Sequence, residues 1–176
     1  MTLAVIVLAL VTLQRLGELL LARRNTRRLL ARGAFEAAPG HYPLIVAMHA
    51  AWLIGLWILA WNRAVALPWL GVFIVLQAGR VWVLASLGER WTTRIIVLPG
   101  APMVRRGPYR FLSHPNYAVV EAELIVLPLA FGLWGFALAF GVLNALVLVV
   151  RIRAEQAALA SLPPAESGVA VTGARS

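Results

Sequence analysis

The sequence contains no cysteine, and it lacks lysine and aspartate as well. The absence of cysteine excludes disulfide bonds, thiolate metal sites and cysteine nucleophiles. Negative charge is scarce, because the sequence has seven glutamates and sixteen arginines, and the formal net charge is +9. Charged residues make up only 13% of the chain, whereas 61% of it is hydrophobic. This composition is typical of a membrane protein rather than of a soluble domain.

Five apolar segments alternate with loops rich in arginine, glycine and proline. The hydrophobic runs predict helices over residues 3–22, 41–61, 67–87, 114–131 and 134–160. The fourth run is short for a hydrocarbon core of ~30 Å, so that helix is expected to tilt or to begin inside a cavity. The sequence therefore predicts an all-α integral membrane protein with about five transmembrane helices.

The predicted helices divide the chain into three regions. Residues 1–88 hold the first three helices, on the side expected to take lipid, and residues 89–161 hold a polar segment and a helical hairpin. Residues 162–176 include Pro163 and Pro164 and are rich in serine, glycine and alanine, which predicts a disordered tail. A short interfacial helix is expected over residues 26–31, within an arginine-rich loop.

Arginine is distributed unevenly along the loops. Five arginines follow the first helix and five more lie from Arg90 to Arg110, whereas the loop after the second helix carries only Arg63. The positive-inside rule then predicts an N-terminus outside and a C-terminus in the cytoplasm. Arginines beside apolar segments favour membrane lipids over nucleic acid as partners. The expected location is the inner (plasma) membrane, with the polar clusters facing the cytoplasm.

Polar side chains interrupt the first two predicted helices. Arg15 and Glu18 share a helix face at i, i+3 spacing, which favours an ion pair snorkelling to the membrane interface over a role in lining a cavity. His41 and His49 are eight residues apart, without a nearby carboxylate. This spacing favours hydrogen-bonded packing over a metal site, and we predict no metal.

The stretch that gathers the most polar residue types reads VRRGPYRFLSHPNY, at residues 104–117. A polar cluster between membrane-length apolar segments is costly, so it predicts a ligand or a reaction. Arg151 and Glu155 lie at i, i+4 spacing on one face of the last helix. Because the last two helices form an antiparallel hairpin, we expect residues 114–117 to lie at the same depth as this pair. Two polar patches at one depth can form a binding site.

The segment GPYRFLSHPNY, followed by a hydrophobic hairpin and RIRAEQAAL, resembles the isoprenylcysteine carboxyl methyltransferase family of integral-membrane enzymes that use S-adenosylmethionine. The family pattern is G-x-Y, R-H-P-x-Y, a hairpin and R-x-x-x-E, and it covers roughly residues 90–160. The stretches QRLGELLLARRN, HYPLIVAMHAAW and RWTTRIIVLPGAP resemble a bacterial branch associated with O-methylation of long-chain polyketides. The resemblance implies an S-adenosylmethionine-dependent methyltransferase, with a type III polyketide synthase as a functional partner.

The resemblance also implies roles for individual residues. Arg151 would contact the acceptor, and Glu155 would bind S-adenosylmethionine. Ser113 stands where the pattern usually has arginine, with Arg110 as a candidate substitute, and Gln156 replaces a second acidic residue. The further implied cofactor contacts are Arg94, Ala101, Pro102, Met103, Val104, Tyr109, His114, Pro115, Asn116 and Tyr117.

The acceptor must present an oxygen nucleophile. A free phenol titrates near a pKa of about 10 and needs a base, whereas the acidic enol of a hydroxypyrone is already largely ionised at neutral pH. Arg151 could hold an enolate or a carboxylate through charge-assisted hydrogen bonds. His114 and Glu123 are the candidate bases, and the resemblance favours Glu123 over Glu121. We expect a lipophilic alkylpyrone or alkylresorcinol that enters from the bilayer, ahead of a prenylcysteine carboxylate.

Two other functions stay open at the level of sequence. Membrane reductases of the sterol-reductase type show a similar His-Pro-x-Tyr segment and use NADPH, whose 2′-phosphate the arginines could bind. The third possibility is a non-enzymatic membrane protein whose polar cluster binds lipid headgroups. Binding of S-adenosylhomocysteine, of NADPH or of neither distinguishes the three.

Overall fold

The computed structural model describes residues 2–102 and 104–160. Two strands of two residues each, β1 (Phe35–Glu36) and β2 (Ile96–Val97), lie in loops, and single 3₁₀ turns occupy Pro39–His41, Gly88–Arg90 and Gly107–Arg110. The predicted disordered tail, residues 162–176, lies outside the described part. Over the described residues the structure confirms an all-helical architecture with five helices, which are α1 (Leu3–Ala31), α2 (Tyr42–Ala60), α3 (Leu67–Leu87), α4 (Pro115–Ala130) and α5 (Trp134–Ala160).

The predicted end of the first helix is wrong. We expected a break after residue 22 and a separate interfacial helix, whereas α1 continues without interruption to Ala31. Residues 23–31 are mostly arginine, leucine and alanine, which are good helix formers. The first glycine beyond them, Gly33, has a φ of +86° and lies just past the end of the helix. The longer helix carries Asn25 to the polar segment, where its amide donates to the carbonyls of Gly88 and Trp91 at 3.2 and 2.8 Å.

In the part of the chain that the structure describes, four helices, α1, α2, α3 and α5, are long and apolar enough to cross a membrane. The fourth helix has only 16 residues, compared with the ~20 that span a hydrocarbon core. It packs against α3 and α5, and most of its second half is buried inside the protein. The amide of Ala66 donates to the carbonyl of Ala130 at 2.8 Å, so the end of α4 lies beside the loop between α2 and α3.

The apolar core lies where α1 and α2 meet α4. Leu8, Leu56, Leu124 and Leu127 are fully buried there. Trp52 is buried beside them, and its indole nitrogen donates to the carbonyl of Leu124 at 3.1 Å. This contact ties α2 to α4 and fixes the position of the polar residues that precede Leu124 on the same helix.

The two strands bring separate loops together over the end of α5. Phe35 pairs with Val97 and Glu36 with Ile96 in an antiparallel register. Ala37, Ile95 and Val97 form a small apolar cluster that packs against Ala154. The loop after α1 and the loop after α3 therefore form one cap beside the cytoplasmic end predicted for the bundle.

Candidate functional site

Four polar side chains converge where α4 begins and α5 nears its end. The phenol oxygen of Tyr117 accepts a hydrogen bond from Arg151 Nε at 3.0 Å and donates one to Glu155 Oε2 at 2.7 Å. The His114 ring stacks on the Tyr117 ring at 5.2 Å, and its Nδ1 lies 4.0 Å from Glu155 Oε2. The hairpin therefore brings the two predicted patches together, with Tyr117 between Arg151 and Glu155.

A cavity of about 200 Å³ opens at this cluster. Charged, aromatic and aliphatic residues form its wall. They come from the loop after α3, from the start of α4 and from the end of α5. Eight of the residues singled out from the sequence lie in this wall, namely Arg94, Tyr109, Ser113, His114, Asn116, Tyr117, Arg151 and Glu155.

The local sequence explains how the segment before α4 turns into the cavity. Gly107 has a φ of +58°, which favours glycine, and a Cβ atom there would overlap the Ser86 hydroxyl. Arg106 Nε donates to the carbonyl of Ser86 at 2.8 Å, so the segment is held tightly against α3. The 3₁₀ turn Gly107–Arg110 then directs Tyr109 into the wall. Burial raises the pKa of the Tyr109 phenol to about 12, so the hydroxyl stays protonated at neutral pH.

Arg94 connects the cavity to the cap. Its guanidinium lies 2.7 Å from Glu36 Oε2 and 4.3 Å from the centre of the Tyr42 ring. The hydrogen bond to Glu36 raises the pKa of Arg94, which therefore stays charged. The side chain reaches the cavity wall with one carboxylate partner already in place.

Other predicted site residues lie elsewhere. Ala101, Pro102 and Val104 are absent from the described part of the cavity wall, although Arg90 in that wall donates to the carbonyl of Pro102. Pro115 is buried in the first turn of α4, where its missing amide hydrogen costs nothing. The prediction for Met103 lies outside the described residues.

Two residues bear on the departure from the family pattern. Ser113 lines the cavity, whereas Arg110 is exposed and is absent from the described part of its wall. The structure therefore does not bring Arg110 to the position that the missing arginine would occupy.

Glu123, the favoured base, is sequestered in a buried network. It is fully buried, and its two carboxylate oxygens accept hydrogen bonds from Arg15 at 2.7 Å and Gln77 at 3.0 Å. Arg80 lies 3.4 Å from it and also binds Glu18 through two nitrogens, at 2.8 and 2.6 Å. Glu123 is absent from the described walls of both cavities, so the structure does not support it as a base.

The same network corrects the prediction for Arg15 and Glu18. The two side chains are paired at 3.3 Å, but Glu18 is buried and both residues line a second cavity instead of snorkelling to the interface. The partner that holds Glu18 there, Arg80, is 62 residues away in the sequence. Helical spacing alone could not reveal this contact.

The second cavity has a volume of about 310 Å³ and lies among α1, α2, α4 and α5. Much of its wall is aliphatic, and Leu16 and Val46 are exposed at the protein surface as well. Five residues line both cavities, which therefore share a boundary, and these are Trp91, Thr92, Asn116, Tyr117 and Arg151.

The segment after α3 contributes wall residues that the sequence analysis did not single out. Trp91 is buried and donates to Asn116 Oδ1 at 3.4 Å, and Thr92 and Arg90 line the first cavity beside it. The available signal was the polar stretch ERWTTR directly after an apolar helix. This stretch forms part of the boundary between the two cavities.

Comparison with known proteins gives a family match and two relatives. Residues 69–161, more than half of the chain, match the family model described as isoprenylcysteine carboxyl methyltransferase (ICMT) family. A Bacillus subtilis (strain 168) protein with the name "Uncharacterized protein YpbQ" is 39% identical over 88% of this chain and 95% of its own length. An uncharacterized protein of Haemophilus influenzae (strain ATCC 51907 / DSM 11121 / KW20 / Rd) is 29% identical over 85% of this chain and 91% of its own length.

No solved structure matches the chain. The family match covers α3 from residue 69, the segment with Tyr109 and the whole α4–α5 hairpin, and thus both halves of the polar cluster. Membership implies a methyltransferase, and the apolar helices indicate a membrane protein. The chain belongs to the isoprenylcysteine carboxyl methyltransferase family.

Proposed function

We propose that the protein is an S-adenosylmethionine-dependent O-methyltransferase that acts on a lipophilic acceptor in the plasma membrane. The observation that carries this proposal is the shared boundary of a polar cavity and a largely apolar cavity at Tyr117 and Arg151. A water-soluble methyl donor and a lipid can then occupy separate cavities and meet at one wall. Methyl transfer needs such in-line positioning more than it needs elaborate chemistry.

The first cavity fits the groups that S-adenosylmethionine carries. Glu155 offers a carboxylate for the amino group or the ribose hydroxyls, and Arg90 offers a guanidinium for the carboxylate. Tyr109 and Thr92 add hydroxyl groups to the same wall. When bound, S-adenosylmethionine supplies a methyl group on a positively charged sulfur. The residues of this chain orient it and keep water away from the acceptor.

Arg151 is the residue proposed to hold the acceptor oxygen. Its side chain is 9% exposed, and its Nε is bound to the neutral Tyr117 phenol. Among the residues that the structure describes, no carboxylate oxygen lies within 4.0 Å of this guanidinium. A buried cation without an anionic partner is costly, so it favours an acceptor oxygen that is negative or becomes negative during transfer.

The acceptor proposed is a long-chain alkylpyrone or alkylresorcinol, with a prenylcysteine-like carboxylate as the alternative. The aliphatic wall of the second cavity supports an alkyl chain, and the exposed Leu16 and Val46 support entry from the bilayer. A type III polyketide synthase would supply such acceptors. The cytoplasmic orientation of the polar cavity and the inner-membrane location belong to the same proposal.

Transfer of a radiolabelled methyl group from S-adenosylmethionine into an extractable lipid tests the function. The purified full chain in lipid nanodiscs would be given an alkylpyrone, an alkylresorcinol and a prenylcysteine in separate reactions. We expect labelled product with at least one acceptor, and we expect Arg151→Ala to lower turnover by about 100-fold or more.

Arg153→Ala is the matched control, because Arg153 is exposed and lies two residues further along the same helix. This variant should turn over at the wild-type rate. Equal turnover of both variants would remove Arg151 from the reaction, and failure to label any acceptor class would oppose the methyltransferase proposal.

A further inference from the structure

His49 lies in the middle of α2 and lines the second cavity. Its Nδ1 is 2.9 Å from the carbonyl oxygen of Ile45, one turn earlier on the same helix. A carbonyl can only accept, so Nδ1 carries a hydrogen and donates it. In the neutral ring the other nitrogen, Nε2, is then a hydrogen-bond acceptor.

The Nε2 atom is not fully buried, and His49 lines the second cavity. Every fully buried side-chain nitrogen and oxygen in the described part of the chain has a hydrogen-bond partner. The bond to Ile45 is the one found for His49 within that part, and it uses Nδ1. Nε2 is therefore an accessible atom, and the cavity is the space that His49 borders.

The charged neighbours of His49 favour the neutral ring. Arg15 from α1, Arg80 from α3 and Arg151 from α5 share the cavity wall with it. Among the described residues of that wall, Glu18 is the one carboxylate, and it is already bound by Arg80 and Arg15. The other titratable groups of the wall are the phenols of Tyr42 and Tyr117. A fourth positive charge would be repelled by three guanidinium groups, so Nε2 stays a bare acceptor.

We propose that His49 Nε2 accepts a hydrogen bond from a second hydroxyl of the acceptor, one that is not methylated. This inference rests on the proposed function and narrows the substrate class. The acceptor is then a long-chain phenol with two ring hydroxyls. One transfers its proton to His114, the candidate base that lines the first cavity with Arg151, and accepts the methyl group as a phenolate. The other keeps its hydrogen and donates it to His49. A carboxylate or an ionised hydroxypyrone has no hydroxyl hydrogen to offer at this position.

A thermodynamic cycle with one change in the enzyme and one change in the substrate isolates the proposed hydrogen bond between His49 and the second hydroxyl. The substrates are a long-chain 5-alkylresorcinol and the 3-alkylphenol of equal chain length, which lacks the second hydroxyl. The enzymes are the wild type and His49→Phe, as full chains in nanodiscs, and kcat/KM is measured for all four pairs. We expect the wild type to prefer the resorcinol by at least about 10-fold, since a site built for a hydroxyl rejects the analogue without it. We expect His49→Phe to show less than about a 3-fold preference.

The control is Val46→Phe, which adds bulk to the same wall one turn before His49. It should change kcat/KM for both substrates by the same factor and so retain the wild-type preference. His49→Phe should bind S-adenosylhomocysteine as tightly as the wild type, which shows that the variant is folded.

Two outcomes overturn the inference while the proposed function stands. One is a wild-type enzyme that methylates both phenols equally, or that methylates only a prenylthio-carboxylic acid without hydroxyl groups. The other is a preference that survives in His49→Phe. A protein that neither binds S-adenosylhomocysteine nor methylates any acceptor contradicts the proposed function itself.

Discussion

The hydroxyl of Tyr117 joins the two charged groups of the candidate site, accepting from Arg151 and donating to Glu155. The i, i+4 spacing of Arg151 and Glu155 predicted that the two share a helix face. It did not predict that a phenol from the neighbouring helix stands between them. A hydrogen bond to a charged group contributes roughly 1.5–3 kcal/mol, so this one hydroxyl orders both side chains appreciably.

Tyr117→Phe removes that hydroxyl and keeps the ring that stacks on His114. We expect the affinity for S-adenosylhomocysteine to fall about 10-fold or more, because Glu155 loses a donor and Arg151 loses an acceptor. Calorimetric titration measures the change, and the melting temperature verifies the fold. An unchanged affinity would mean that Glu155 is positioned without Tyr117.

At the scale of elements, buried ion pairs hold α1, α3 and α4 together. Arg80 binds Glu18 of α1 and lies 3.4 Å from Glu123 of α4. Arg80→Ala leaves Glu18 and Glu123 with one cation fewer, and we expect a loss of roughly 3–5 kcal/mol in the free energy of unfolding. Denaturant unfolding in detergent measures the loss.

The double variant Glu18→Gln with Arg80→Met removes both charges of the pair and should lose less stability than Arg80→Ala alone. Wild-type stability in Arg80→Ala would show that the ion pairs do not hold the bundle together.

The close packing of the 3₁₀ turn at Gly107 against Ser86 of α3 allows a second test of how the elements position the site. Gly107→Ala introduces a Cβ that overlaps Ser86 and lies 3.1 Å from Trp82 Nε1. We expect this variant to lose most cofactor affinity, because the turn that carries Tyr109 must move. Gly100→Ala is the control, since φ is +72° there too but no atom lies within 4 Å. If the two variants lost cofactor affinity equally, the loss would come from backbone strain and not from the contact between Gly107 and Ser86.

Sequence patterns predicted the elements better than their contacts. The predicted bounds of α3 and α5 match the structure, and those of α2 and α4 differ by one residue at each end. Local apolar runs determine these bounds. Arg15 and Glu123 are 108 residues apart in the sequence, so the hydrophobic periodicity within single helices could not predict their contact. The contact of Tyr117 with Arg151 is the exception, because the short connection between α4 and α5 places the two residues at a similar depth.

For the whole molecule, the number of crossings and the orientation are predictions. We predict that α4 crosses inside the bundle, because its end lies beside the loop that carries Arg63. Because the sequence contains no cysteine, a label on the isolated chain reports the introduced cysteine. Arg63→Cys and Gly135→Cys should react with an impermeant maleimide in intact cells, and Arg32→Cys and Gln156→Cys only after permeabilisation. Labelling of Gly135→Cys only after permeabilisation, while Arg63→Cys reacts in intact cells, would contradict a crossing by α4.

Calorimetric titration of the purified protein with S-adenosylhomocysteine shows whether the protein binds the product of the proposed methyl donor. We predict saturable binding that Glu155→Ala abolishes. Glu89→Ala, which removes an exposed carboxylate bound to Arg28, should retain this binding. Titration with NADPH should give no heat of binding. Binding of NADPH without binding of S-adenosylhomocysteine would contradict the account and indicate a reductase.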